Sequence, residues 1–440
     1  MTVGAEELHK IDKSLKYNYN TLADRIIKEH RLIYSSGLFY EYQNGVYVEI
    51  SDDKICTYIK TIVGDKFSTR VKSETTASLK ASIYIDMKLL NAGEYLNLKN
   101  GIYNIETDTL MPHTPDIYST IQIPVSYTKG AMCDKWLKTL DEILEGSAAK
   151  VALLQEFFGL CLTKETKYCK ALFLIGEGRN GKSTVLYILE NIIGNENKSS
   201  IPLEALNNYH YVANLFGKLV NVSIETNSKS EVYDATFKAI VSGDSLTADP
   251  KYRNPFTFRP YCKLIYALNN MPRVNDKTDA YFRRLLILRF NKQFEGSDDN
   301  KALKQELLSE LDGIFMWCVA GYRRLKERGD FTIDNKIQAE VDEHRKENNN
   351  VIGFVEEECE LTLDYTISKD DLYQEYRKWC QDNNHHASTK IKFGKELTRR
   401  YKLSDELSGN EFTRHRIWVG IGIRLQKGRY ERPEQDEHKF

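Results

Sequence analysis

What this 440-residue chain lacks narrows its function before any motif is read. No apolar run reaches the ~18 to 20 residues that a membrane-crossing helix needs. The nearest, VALLQEFFGLCL, is interrupted by Gln155 and Glu156. The opening residues, MTVGAEELHK, lack the apolar stretch of a secretory signal. None of the eight cysteines falls in a C-x-x-C pair, so neither a zinc site nor a disulfide frame is signalled. They read as free thiols of a reducing, cytoplasmic compartment. There are no repeats and no low-complexity tract. There is also no excess of positive charge, since the formal net charge is −1. A nucleic-acid partner must then be held by local patches.

One such patch is present. Residues 386–432 carry twelve Lys or Arg against five acids, a local net of +7, interleaved with Phe393, Tyr401 and Trp418. The stretch is either a solvated tail or a folded basic surface, and the aromatics favour the surface. The length allows two or three domains. Residues 1–128 read as an α+β accessory or oligomerisation domain, with a hairpin at Asn44-Gly45 in FYEYQNGVYVEI. Asp86 stands alone there, so no paired metal carboxylates of a primase are seen. Residues 129–345 hold amphipathic helices and then an α/β core. A linker at 343–350 leads to 351–440, where two helices and a strand pair carry the basic patch.

The strongest motif is FLIGEGRNGKSTVL, residues 173–186. Gly176-x-x-x-x-Gly181-Lys182-Ser183 fits the phosphate-loop pattern. An apolar strand precedes it and a helical pattern follows. Glycines let backbone amides approach phosphate oxygens, and the helix start adds its positive dipole end. Gly176, Gly178, Asn180, Gly181, Lys182, Ser183 and Thr184 are therefore expected to hold ATP. Lys182 would reach the β- and γ-phosphates, and Ser183 would ligate Mg²⁺. Arg179 has no assigned role.

Four further features follow in order. KLVNVSIETNS places Glu225 at a strand end, 43 residues after Lys182, where it could polarise water and help hold the metal. No Asp precedes it, so the metal depends more on Ser183 and water. YCKLIYALNN ends a third strand at Asn269, which is either a γ-phosphate sensor or a simple turn former. DAYFRRLLILRF carries Arg283 and Arg284 side by side; one can pair locally while the other reaches outward, or both can pair locally. Between them, SGDSLTADPKYRNPFTFRP reads as a hairpin tipped by Lys251, Tyr252 and Arg253, either an exposed turn or a grip on a phosphate backbone.

In this order the motifs resemble the superfamily 3 AAA+ helicases, in the branch of phage and plasmid "primase" C-terminal domains and poxvirus-like replicative helicases. LLQEFFGLCLT upstream and LYQEYRKWCQDNN and RIWVGIGIRL downstream extend the resemblance to about residues 90–425. It implies an AAA+ core, a C-terminal winged-helix domain and a homo-oligomeric ring, a hexamer, using ATP and Mg²⁺ on single-stranded and forked DNA. Other replication proteins are implied as partners, and a bacterial host cytoplasm as location. The resemblance makes Lys182 and Ser183 the Walker A contacts, Glu225 the Walker B glutamate, Asn269 sensor 1 and Arg284, ahead of Arg283, the finger that enters a neighbour's site. It makes Lys251 the hairpin lysine. On the basic C-terminal helix, Lys390, Lys392, Arg399 and Arg400 are the candidate duplex contacts. Three rivals stand beside a replicative helicase of a phage, plasmid or genomic island. One is an origin-binding initiator or loader ATPase without processive unwinding. Another is a small-molecule or nucleoside kinase, which has no use for a basic hairpin. The third, a non-enzymatic DNA-binding repressor built on the C-terminal unit, leaves the loop unexplained.

Overall fold

The computed structural model describes residues 18–224, 234–251, 254–272, 274, 278–294, 302–408 and 415–424. At its centre are five short strands in the order Leu285–Arg289, Ala171–Ile175, Lys263–Leu268, Val220–Ile224, Lys198–Ser199. Every neighbouring pair is parallel. Parallel strands need helical crossovers that cover both faces, so their residues alternate between two cores instead of between core and water. Leu172 and Leu174 face the helices Ala148–Cys161, Lys182–Ile193 and Leu311–Arg328. Phe173 and Ile175 face Phe237, Tyr281 and Phe282 on the other side.

The helices Ala148–Cys161 and Leu311–Arg328 touch backbone to backbone. A Cβ on Gly159 would lie 2.2 Å from Cys318 O, and one on Gly321 would lie 2.4 Å from Gln155 O. Glu156 is fully buried in this contact and receives Arg324 Nε at 2.8 Å and the Thr332 amide at 2.7 Å. Such a charge is tolerated inside only when its oxygens are this fully engaged.

Upstream, helices Tyr19–Glu29, Asp52–Val63 and Thr69–Ser82 pack on a three-stranded antiparallel sheet, Leu32–Ser35, Leu38–Gln43 and Val46–Ile50. Its turn has Asn44 and Gly45 both at positive φ, the conformation that a tight two-residue hairpin requires. A second sheet, Tyr95–Leu98, Gly101–Asn104 and Thr109–Met111, leans on the core, where Arg323 reaches Asp108 and Ile105 O.

Downstream, helices Asn350–Glu358, Lys369–Asp382 and Lys390–Tyr401 enclose an aromatic core of Phe354, Tyr376, Trp379, Phe393 and Trp418. A three-stranded antiparallel sheet closes it, with His415–Val419 between Thr366–Ser368 and Ser404–Ser408. Among the described residues no helix is long and apolar enough to cross a membrane.

Candidate functional site

The phosphate loop leaves the C-terminal end of strand Ala171–Ile175, the second strand of the sheet. Gly176 N donates to Leu268 O and Phe290 N to Ile175 O, so the loop starts between the ends of two flanking strands. Space there is tight. A Cβ on Gly176 would meet Phe290 O at 2.3 Å, and one on Gly181, at φ +88°, would meet Ile143 Cδ1 at 2.6 Å. Nothing lies within 4 Å of a Cβ at Gly178. Gly181 caps the helix Lys182–Ile193 without a side-chain hydrogen bond, leaving first-turn amides for an anion.

Lys182 is buried, and Nζ donates to Gly176 O, to Glu177 O at 3.0 Å and to Asn180 Oδ1 at 3.0 Å. Burial pushes its ammonium below the ordinary lysine range, because no anionic partner offsets the lost hydration. Asn180 is buried too, and its Nδ2 donates to Phe290 O at 3.1 Å. One side chain thus ties the lysine to the neighbouring strand, a role that the loop pattern alone did not signal. Arg179 adopts φ +57°, and its carbonyl accepts from Phe294 N at 2.8 Å. Ser183 is exposed beside the loop, and Thr184 is half-buried behind it.

These residues fit a nucleoside triphosphate with its metal: an uncapped helix start, an ammonium held at the loop, and an exposed hydroxyl one residue on. Among the described residues no group of three or more His, Cys, Asp or Glu side chains converges as a metal site. Glu225 lies outside the described residues; the strand that leads to it ends at Ile224, two positions from the loop strand. Asn269 is exposed and directly follows strand Lys263–Leu268, whose Leu268 is registered with Ile175. The fold thus brings Asn269 beside Gly176.

The paired arginines separate. Arg284 turns inward, with Nη1 donating to Ala280 O and Nη2 to Ser242 Oγ at 2.8 Å. Arg283 is exposed. The resemblance puts Arg284 first; in this chain Arg284 is half-buried and the outward arginine is Arg283.

The hairpin forms from Leu246–Ala248 and Phe256–Phe258, with Thr247 opposite Thr257. Phe216, Phe256 and Phe258 cluster at its base, with ring centroids 5.2–5.6 Å apart. Lys251 is exposed at the tip; Tyr252 and Arg253 lie outside the described residues. The motif reading missed the neighbouring turn. Helix Tyr209–Val212, capped by Asn208, packs on the hairpin, and Asp249 N donates to Tyr209 O. Tyr209 and Tyr211 are 62% and 50% exposed, so two aromatic side chains stand open to solvent next to the hairpin. The alternation NNYHYV was the available signal.

On the C-terminal unit, Lys390, Lys392 and Arg399 are exposed, although Lys390 pairs with Asp370 and Arg399 with Glu396. Arg400 is half-buried and turns from the helix Lys390–Tyr401 toward the helix Asp279–Phe282, with Nη2 3.4 Å from Asp279 and Nε 3.5 Å from Glu396. One residue along a helix is a rotation of ~100°, enough to separate it from Arg399.

Against known proteins, residues 20–145 match the family described as D5 N terminal like, and residues 346–417 match poxvirus D5 protein-like. Residues 174–284 match a family of unknown function. The D5 match begins at residue 20, well before the residue 90 at which the motif resemblance began. The chain is 21% identical over 452 residues to "Putative helicase L207/L206" of Acanthamoeba polyphaga mimivirus, covering 85% of this chain and 47% of that protein. It is 23% identical over 245 residues to "Putative helicase 022R" of Frog virus 3, covering 50% of this chain and 25% of that one. The chain therefore spans from a quarter to about half the length of these viral relatives. The apo A form of the NrS-1 C terminal region superposes with a TM-score of 0.60 at 14% identity, covering 92% of this chain and all of that one. At such identity the likeness is one of fold. The two D5 matches and the viral relatives named "Putative helicase" support kinship with the poxvirus D5-like branch of the superfamily 3 helicases, and the NrS-1 likeness shows a shared fold.

Proposed function

We propose that this chain is an ATP-dependent replicative DNA helicase that acts as a homo-oligomeric ring, a hexamer, moving along single-stranded DNA and opening duplex. The observation that carries the reading is that the loop and Asn269 leave the C-terminal ends of two neighbouring strands of the parallel sheet, while a separate two-stranded antiparallel hairpin carries Lys251. The core is read as AAA+, flanked by an N-terminal unit (1–128) and a C-terminal winged-helix unit (351–440).

In this reading Lys182, Ser183, Thr184 and the amides of the loop hold ATP and Mg²⁺; the metal, when bound, neutralises phosphate charge. Asn180 keeps Lys182 aimed at the loop. Glu225, at the end of the fourth strand, orients the attacking water, and Asn269 reports on the γ-phosphate. Arg283, being outward, enters the site of a neighbouring copy, where it would stabilise charge in the transition state. Lys251, Tyr252 and Arg253 grip the DNA backbone, while Tyr209 and Tyr211 give bases a surface to stack on. Lys390, Lys392 and Arg399 hold duplex phosphates. Other replication proteins are the expected partners.

The test is strand displacement on a forked duplex. The wild-type chain should displace the strand with ATP, and Lys251→Ala should keep its DNA-free ATP turnover but displace poorly. ATP turnover with no displacement by the wild type would favour an initiator or loader instead.

A further inference from the structure

Arg283 and Arg284 follow a four-residue helix, Asp279–Phe282, and its first residue is held from two other elements. Arg400 Nη2, from helix Lys390–Tyr401, lies 3.4 Å from Asp279 Oδ1. Arg345 Nη2, from helix Asn335–Asn348, lies 3.7 Å from the same oxygen. The Arg345 guanidinium also sits 5.3 Å from the centre of the Phe282 ring, and His344 packs edge-on against that ring. Both arginines are largely buried, while the Asp279 side chain is 69% exposed. Glu396 completes the arrangement, taking Arg399, Arg400 and Asn349 on one carboxylate.

We infer that Asp279 is a positioning residue through which the C-terminal unit sets the turn that carries Arg283. The helix Lys390–Tyr401 has two working faces. One exposes Lys392 and Arg399; the other sends Arg400 to Asp279. A helix is stiff over three turns, so a shift of its outer face on binding DNA moves Arg400 as well. The Asp279 turn is itself short, and Arg284 fastens its far end through Ala280 O and Ser242 Oγ. Displacement at Asp279 therefore has little slack to absorb it before Arg283. Each ion pair is half-solvated and contributes little stability alone. Their consequence is geometric: two cations on one oxygen fix where the turn begins.

The inference rests on the proposal that Arg283 completes a neighbouring site, and the experiment separates the two. ATP turnover would be measured with and without forked DNA for Asp279→Asn, Arg400→Gln and the double variant. Each single change should lower DNA-stimulated kcat roughly five-fold, the scale of one such contact. KM for ATP, DNA affinity by fluorescence anisotropy and the thermal midpoint should stay at wild-type values. The double variant should be no slower than the slower single, because both changes break the same link. Asp279→Glu, which retains the charge, should recover most of the stimulation. Singles that turn over like wild type, or losses that multiply in the double variant, would overturn the inference. Linear dilution of wild-type turnover by Arg283→Ala subunits, with the Asp279 variants slow and non-additive, would instead sink the trans-acting arginine and leave the positioning link standing.

Discussion

In the central sheet the cations are inside. Lys182 and Lys263 are both buried, held by carbonyl oxygens of their own loops. Burial lowers the Lys263 ammonium to about 8. On the C-terminal helix Lys390–Tyr401 most cations are outside: Lys390, Lys392, Lys395 and Arg399 are exposed, Arg400 turns in toward Asp279, and the interior beneath is aromatic. In the proposed function the difference follows from what each region would meet. A phosphate chain that enters a loop must find its charges and amides already desolvated and aimed. Exposed cations on a surface stay hydrated, and here Lys390 and Arg399 also keep carboxylate neighbours, Asp370 and Glu396.

The sharpest way to break this contrast is at Lys182. Lys182→Ala should lower ATP turnover at least about 100-fold, the scale of losing one preorganised charge. Its thermal midpoint should stay within a few degrees of wild type, since the amino group contacts only loop oxygens. Retained turnover would remove the loop from the chemistry.

The boundary between the two regions offers a pH test. His344 is buried against Phe282, and desolvation lowers its imidazolium to about 4 from an ordinary 6.5. Because the folded value is the lower one, the unfolded chain binds the extra proton between pH 6.5 and 4. Stability should therefore fall as pH drops through that window, by up to about 3 kcal/mol. Urea unfolding should show a flatter dependence on pH between 6.5 and 4 for His344→Gln than for wild type, and equal slopes would take His344 out of the effect.

Smaller effects sharpen the outward-facing side. Tyr209→Ala or Tyr211→Ala should weaken single-stranded DNA binding by roughly 1–3 kcal/mol, read by fluorescence anisotropy. Unchanged affinity would take the turn off the DNA path. Smallest is the comparison of neighbours on one helix. Arg399→Ala should lower the salt slope of duplex binding by about one, whereas Arg400→Ala should leave it unchanged. Equal slopes for the two variants would show that the inward pairing with Asp279 does not persist in solution.

Much of the architecture was legible because it rests on local pattern. The loop, its strand and its helix announce themselves by glycine spacing and apolar periodicity. The Asn44-Gly45 turn and the hairpin strands around Lys251 do so by turn chemistry. The choice between Arg283 and Arg284 was not legible, since both satisfy the same motif and only Ser242, 42 positions away, claims one of them. Arg400 looked like its neighbour Arg399 until Asp279 was found beneath it, 121 positions away. Tyr209 and Tyr211 gave only a faint alternation; their meaning comes from standing beside the hairpin.

Residue order along the chain was enough to specify a phosphate loop, the strands on either side and a basic C-terminal helix, because backbone conformation and burial follow from neighbours within a few positions. Which charges stay exposed and which pair with distant parts of the chain was decided in the folded chain alone. That choice depends on which distant carbonyl, hydroxyl or carboxylate arrives within hydrogen-bond reach, and no local pattern encodes such an encounter.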